Sequence, residues 1–397
     1  MSNGKGKHFC ILPFVHLHLE TTGELTPCCI NRERMAHVSD GSLDSLWNSE
    51  KFVQMRAAML ADTHVPSCEV CYSQERGKGE SLRTMFNEKY EKFLPTATLT
   101  ECEPVYFDLR FSNICNLKCR SCEHRSSSLW YEDAKALGLL TGDQAVINAT
   151  NDPESLLAQL RKYIPNAVDF YFAGGEPLVM EEHYRILDML IEAGRTDVRL
   201  SYNSNFMKTQ FKGTSVFEYW RQFEDVNLSV SLDAIDEAAA YVRKGTRFSS
   251  IVANRKLLAE RAPHVKVVCT PTVSLLNIGS LTALLRFLLD TEFCPPDKIL
   301  LNILENPHHY NIKAAPKHVK ASISSELTQF AAKVADHPGL VAQLHQVVAY
   351  MESGDLSSQL VRFRKATLVL DRLRDEDYRN TFTENDPMRL ILDHMPK

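Results

Sequence analysis

No stretch of this 397-residue chain is apolar for long enough to span a membrane, and the opening MSNGKGKHF lacks the apolar core of a secretory signal. Low-complexity tracts and internal repeats are also missing, and the 17 prolines and 16 glycines are scattered rather than gathered into linkers. Positive charge is not in excess. The 45 Lys and Arg face 50 Asp and Glu, a net charge of −5, which argues against a general nucleic-acid binder. A disulfide framework is disfavoured too: eleven cysteines are an odd number, and they cluster at short spacing as metal ligands do in a reducing cytoplasm. What is left is an ordinary globular composition, 44% hydrophobic and 24% charged, long enough for about two or three domains.

Between 105 and 305 strand-like and helix-like segments alternate. VYFDLRF (105–111), VDFYFA (168–173), VRLSYNSN (198–205), VNLSVSLD (226–233), VKVVCTPTV (265–273) and KILLNIL (298–304) read as strands. Segments of helical spacing lie between them, such as Tyr184, Leu187, Leu190 and Ile191, or Leu281, Leu284, Leu285 and Leu288. Six strand–helix repeats imply an α/β fold with a parallel sheet and right-handed crossovers, open or curled into a partial barrel. Several strands alternate strictly: Val105, Phe107, Leu109 and Phe111 oppose Tyr106, Asp108 and Arg110. A buried parallel strand is usually apolar on both faces, so the polar face is expected to line a wide, wet lumen that holds a ligand. The expected division is a cysteine-bearing module at 1–100, the barrel at 101–310 and a helical region at 311–397, in which no chemical motif is legible and packing is the expected role.

Three cysteines, Cys115, Cys119 and Cys122, follow the first strand within "NICNLKCRSCEH". Thiolates at this density favour zinc or an iron–sulfur centre. A closed zinc site would need a fourth ligand such as Cys102 or His124, whereas three cysteines hold three irons of a 4Fe–4S cube and leave the fourth open. The second strand ends in "FAGGEPLV" (172–179), where two glycines let a ligand approach the backbone and Glu176 offers a carboxylate to an amino group. Both motifs lie where α/β proteins bind their ligands, past the C-terminal ends of the strands.

The CxxxCxxC triplet after the first strand and GGEP after the second resemble the radical S-adenosylmethionine (SAM) superfamily, over residues 100–305. "SLDA" (231–234) followed by Arg243 resembles that family's ribose- and carboxylate-contacting segment, while Ser121 stands where the family often has an aromatic residue. The resemblance implies a partial (β/α)6 TIM-type barrel in which Cys115, Cys119 and Cys122 hold a 4Fe–4S cluster. It implies that Gly174, Gly175 and Glu176 take the SAM amino group, Asn203, Ser204 and Ser231 the ribose, and Arg243 the carboxylate, with Leu304 against adenine. An electron donor such as flavodoxin or ferredoxin is implied with it.

A second constellation precedes the barrel. In "CILPFVHLHLETTGELTPCC" (10–29), FVHLHLE alternates and TTG reads as a turn, so a β-hairpin would bring Cys10 and Cys28 together. Cys68 and Cys71 of "CEVC" complete four thiolates, enough for one 4Fe–4S cluster or zinc. Cys29 is an alternative to Cys28. His16 and His18 share a hairpin face that is expected to be exposed, and Cys102, Cys269 and Cys294 read as small apolar residues. The module resembles the SPASM/Twitch extension of radical SAM enzymes, in which a cysteine, a spaced glycine (here Gly23) and a second cysteine follow in order. In most relatives this extension follows the barrel; here it comes first, with ligands for one auxiliary 4Fe–4S cluster. The expected function is SAM cleavage and hydrogen abstraction from a peptide or small molecule. A non-catalytic zinc or iron–sulfur protein is the alternative from another class, and RNA modification is disfavoured by the acidic balance.

Overall fold

A computed structural model describes residues 6–77 and 79–393. The chain forms two compact units. The first takes the chain up to Asn113, then Val146–Tyr202 and Gln222–Val226; the second takes Ile114–Ala145, Asn203–Arg221 and the chain from Asn227 onward.

The first unit is built on a sheet whose strands run in the order Ala36–His37, Glu24–Thr26, His16–Leu19, Tyr106–Leu109, Asp169–Phe172 and Arg199–Ser204. The last four are parallel, as βαβ connections demand, and the first three form an antiparallel meander at one side. The hairpin that carries the N-terminal cysteines is thus part of the main sheet: His16 pairs with Tyr106 and Leu19 with Leu109. The register puts Leu17, Phe107, Phe170 and Leu200 in one row and Leu19, Leu109, Phe172 and Tyr202 in the next, all almost fully buried. Phe107 stacks on Phe170 at 4.9 Å and Phe172 on Tyr202 at 5.1 Å. Each of these side chains contributes roughly 2 kcal/mol or more by leaving water, which fixes the register, since a slip of one residue would turn the row outward.

The opposite face corrects two expectations. His16 and His18 are not exposed; they are 2% and 0% accessible. The wet lumen is also closed along the first strands, where Tyr106, Asp108 and Asp169 are buried. The reason is the neighbouring hairpin strand, which brings partners for these polar groups. His18 lies 3.3 Å from Asp108 and its Nδ1 is 2.6 Å from Thr26 Oγ1, while Arg110 reaches both Asp108 and Glu20. Asp169 accepts from Tyr90 at 2.7 Å and pairs with Lys89 and Arg199. Tyr171 and Ser201, further along the same face, stay partly exposed.

In the second unit Asn227 to Val230 pair in parallel with Lys266 to Cys269, and Thr272–Val273 lies parallel to Asn302–Ile303. The strand expected over 265–273 is interrupted at Pro271, which has no N–H to donate to a ladder; its carbonyl instead accepts from Asn302. The strand expected over 298–304 shrinks to Asn302–Ile303 with an isolated bridge from Ile299 to Cys269. Helix Leu281–Asp290 buries Leu281, Leu284, Leu285 and Leu288, the spacing read in the sequence. The helices Lys317–Lys333, Pro338–Glu352 and Leu360–Arg374 bury the apolar stripes that begin at Val319, Leu340 and Leu360. Cys269 and Cys294 are core residues here, as Cys102 is in the first unit. Among the described residues no helix is long and apolar enough to cross a membrane.

Candidate metal and cofactor centres

In the first unit Cys10, Cys28, Cys68 and Cys71 line one small pocket, closed by Leu12, Ile30, Val70 and Leu82. Three local devices bring them together. Gly23 takes φ +84° at the hairpin turn, where an added Cβ would stand 2.4 Å from the Ala149 carbonyl oxygen, so any side chain here would strain the turn. Pro66 opens a single 3-10 turn, Pro66–Cys68, that runs into helix Glu69–Arg76 and sets Cys68 and Cys71 one turn apart. Asn31 then bridges the two halves, donating to Ser67 Oγ at 3.0 Å and towards Cys68 Sγ at 3.6 Å. Cys29, next in the chain, does not line this pocket.

As free thiols Cys10, Cys28 and Cys68 resist ionisation. Burial, and then the neighbouring thiols, raise Cys10, and burial pushes Cys28 up to about 11 and raises Cys68. Four thiolates in an apolar pocket would repel one another, and a cationic iron–sulfur core removes that penalty. The donor set, its apolar lining and the Asn31 amide beside a sulfur therefore fit a cluster ligated wholly by protein.

The cysteine triplet lies in the second unit. Cys119 sits in a two-residue antiparallel ladder, Lys118–Cys119 with Arg243–Lys244, which places Arg243 directly opposite it. The Arg243 Nη1 is 3.8 Å from Cys119 Sγ, and its Nε donates to Asp233 at 2.7 Å. Asp233, 1% exposed, also accepts from the Thr272 N–H at 2.8 Å. Burial opposes the Arg243 charge, yet Asp233 and the neighbouring thiols hold its pKa above the ordinary value. Asn205, 6% exposed, donates to Asn116 at 2.9 Å and points towards Cys115 Sγ at 4.0 Å. The Trp130 indole donates to the Cys119 carbonyl at 2.7 Å. Burial, then Cys119, pushes Cys122 up to about 12. A fixed guanidinium beside Cys119 and Cys122, with the Asn205 amide towards Cys115, suits thiolate ligands of a cluster with one iron left for an outside ligand.

Of the other expected residues, Ser204 is buried with its Oγ accepting from Phe206 N at 2.9 Å, and Asn203 is exposed. Ser231 donates its N–H to the Ser204 carbonyl at 2.8 Å, and Leu304 donates its N–H to Val273 at 2.9 Å. Gly174, Gly175 and Glu176 belong to the first unit. Gly174 has φ +108°, with Arg110 Cβ 3.0 Å from where a side chain would start. Glu176 is buried and one oxygen accepts from Leu178 N at 3.2 Å. Sequence reading missed Asp233 and Asn205. Asp233 lies inside the SLDA segment already singled out, so its charge was a usable signal; Asn205 carried none.

Helix Leu360–Arg374 also reaches the triplet loop. Arg120, fully buried, pairs with Asp371 and with Glu376 at 2.7 Å, and lies over the Tyr241 ring at 3.7 Å. Asp133 is shared by Lys118 and Arg374.

Comparison with known proteins bears on both centres. The profile of the SPASM domain, an iron–sulfur cluster-binding domain, matches residues 10–72, and that of the radical SAM superfamily matches residues 109–287. No curated protein matches the chain. Among solved structures, native anSMEcpe with bound AdoMet is 17% identical over 58% of this chain and 59% of its own, with a TM-score of 0.39. Streptococcus suis SuiB bound to S-adenosylmethionine is 14% identical over 82% and 70%, TM-score 0.37. The same protein bound to precursor peptide SuiA is 18% identical over 66% and 60%, TM-score 0.36. The chain thus spans under two thirds of the length of anSMEcpe. A 4Fe–4S cluster and SAM are the cofactors of the larger domain, and an auxiliary iron–sulfur centre that of the smaller. With the two models matched in succession, the chain carries a SPASM iron–sulfur cluster-binding domain ahead of a radical SAM superfamily domain.

Proposed function

We propose that the protein reductively cleaves SAM and abstracts hydrogen from a peptide or small-molecule substrate, with one auxiliary 4Fe–4S cluster assisting. The observation that carries this reading is the pair of unlike cysteine sets: four thiols lining one pocket, and a triplet whose Cys119 is faced by the largely buried Arg243. When bound, the cluster and SAM together supply an electron and a 5′-deoxyadenosyl radical.

The chain's own residues hold and orient. Cys115, Cys119 and Cys122 would ligate three irons, and Arg243, fixed by Asp233, would present its free edge to a sulfur and to the SAM carboxylate. Gly174, Gly175 and Glu176 are assigned to the amino group, Asn203, Ser204 and Ser231 to the ribose, and Leu304 to the adenine. Cys10, Cys28, Cys68 and Cys71 would close the auxiliary cluster's shell, leaving it an electron-transfer or structural role. The functional division proposed is 1–100, 101–310 and 311–397, in the cytoplasm. The partly exposed Tyr171, Ser201 and Arg110 on the inner sheet face suit a hydrogen-bonding substrate.

The test is iron and sulfide per chain after anaerobic reconstitution, then 5′-deoxyadenosine formed with dithionite and SAM. About eight irons with turnover are expected from two 4Fe–4S sites. Replacing Cys115, Cys119 and Cys122 together should remove about four irons and all cleavage. Cleavage that survives this replacement, or zinc in place of iron at both sites, overturns the proposal.

A further inference from the structure

Helix Leu360–Arg374 packs on the loop that carries the cysteine triplet. Its buried face includes Phe363, Leu370, Asp371 and Arg374. Leu370 joins Trp130 and Ala134 in a cluster on which Cys122 packs, and Asp371 holds Arg120, the neighbour of Cys119. One helix, about 10 Å across with its side chains, therefore lies between the outward surface and the residues packed on Cys119 and Cys122.

The outward face has an unusual composition. At about 100° per residue, Val361, Lys365, Leu368 and Arg372 fall in one row with Arg362 and Leu373 beside it. Val361 is 72% exposed, Leu368 40% and Leu373 43%, and all three cations are exposed. The one acidic residue of the helix, Asp371, is on the buried face. A purely cationic face interleaved with exposed aliphatic groups, in a chain of net charge −5, is complementary to an acidic protein surface. Charge steers the encounter and the aliphatic groups give it area to desolvate.

We propose that the outward face of Leu360–Arg374 is where the electron donor docks, and that the donor is a small acidic flavoprotein of the flavodoxin class. The proposal rests on the radical SAM reading above, which requires one electron from outside for each cleavage. One electron leaves the donor's reduced flavin, which is oxidised, and enters the cluster, which is reduced; no covalent bond of this chain forms or breaks. Arg362, Lys365 and Arg372 recruit the donor, and the helix would set its flavin on the side of the triplet loop where Trp130 and Cys122 pack.

The experiment compares the reconstituted full chain with its R362E/K365E/R372E variant. Binding of oxidised flavodoxin is measured by calorimetry at low and high salt, and 5′-deoxyadenosine formation is driven either by reduced flavodoxin or by dithionite. Charge reversal is expected to weaken flavodoxin binding and the flavodoxin-driven rate on the order of tenfold or more, with the dithionite-driven rate unchanged. A V361S/L368S variant, which keeps the charges, should weaken binding at high salt as well as low, and it decides the matter if the charge-reversed protein does not fold. Unchanged flavodoxin binding overturns the proposal, as does equal loss with both reductants, or a change in self-association or in substrate binding instead. Failure of the unsubstituted chain to cleave SAM with dithionite counts against the radical reading, and flavodoxin binding then still decides whether this face is a docking surface.

Discussion

Arg243 donates from Nε to the Asp233 carboxylate across 2.7 Å, in a place where the acid is 1% and the arginine side chain 13% exposed. Neither charge is stable there alone. Arg243→Met should cost about 3–5 kcal/mol because it strands a buried carboxylate. The double variant Asp233→Asn with Arg243→Met should recover much of that loss while SAM binding stays weak, since stability needs a neutral pair and the ligand needs the cation. Urea unfolding and SAM titration on the same proteins separate the two effects. A double variant no more stable than the single would mean the pair is not coupled.

The two adjacent cysteines of the hairpin should behave differently. Cys28→Ala is expected to remove the auxiliary cluster, about four irons per chain, while Cys29→Ala leaves it in place. Iron analysis and low-temperature spectra of the two proteins check this, and the reverse ranking would assign Cys29 as the ligand.

Gly23→Ala should destabilise by about 1–3 kcal/mol, because φ +84° disfavours a side chain and the new Cβ meets the Ala149 carbonyl. The hairpin turn it distorts sets the approach of Cys28, so auxiliary iron should fall along with the melting midpoint. A variant that melts normally and loads fully would show that the turn tolerates a left-handed alanine.

Acid stability offers a fourth check. His183 is buried against the Tyr202 hydroxyl at 3.0 Å, and burial pushes its pKa down from 6.5 to about 3. The unfolded chain therefore binds a proton near pH 6.5 that the folded chain refuses. Its share of stability is intact above pH 6.5 and falls as the pH drops towards 3, by about 1.4 kcal/mol per pH unit. His183→Gln keeps a polar partner for Tyr202 but removes the titration. It should be less stable at pH 7.5 and show a flatter decline below pH 6.5. The slope will not vanish, since burial also pushes His16 down to about 3. Parallel pH profiles for the two proteins would mean His183 is protonated in the folded state.

What was legible in the sequence was local. The triplet, the GGEP turn and the hairpin with its spaced glycine each fall within a few residues of chain, and turn chemistry and ligand spacing operate on that scale. The α/β class with parallel strands followed from alternating periodicity. Contacts made across long sequence gaps were not legible. Arg120 meets Asp371 from 251 residues away, a contact that no local pattern announces. The histidines show the same limit. Period-two alternation put His16 and His18 on one face, but which side of the sheet that face meets depends on the strand Tyr106–Leu109, far along the chain.

That strand pairing has a practical consequence. Because His16–Leu19 is hydrogen-bonded in parallel to Tyr106–Leu109, cutting the chain before the barrel would not release an independent module. It would leave a raw edge with unpaired backbone groups, and Asp108 would lose its His18 partner. A truncated barrel is then expected to aggregate rather than report on catalysis. The cysteine module is best emptied by point substitution, one sulfur at a time, with its hairpin left in place.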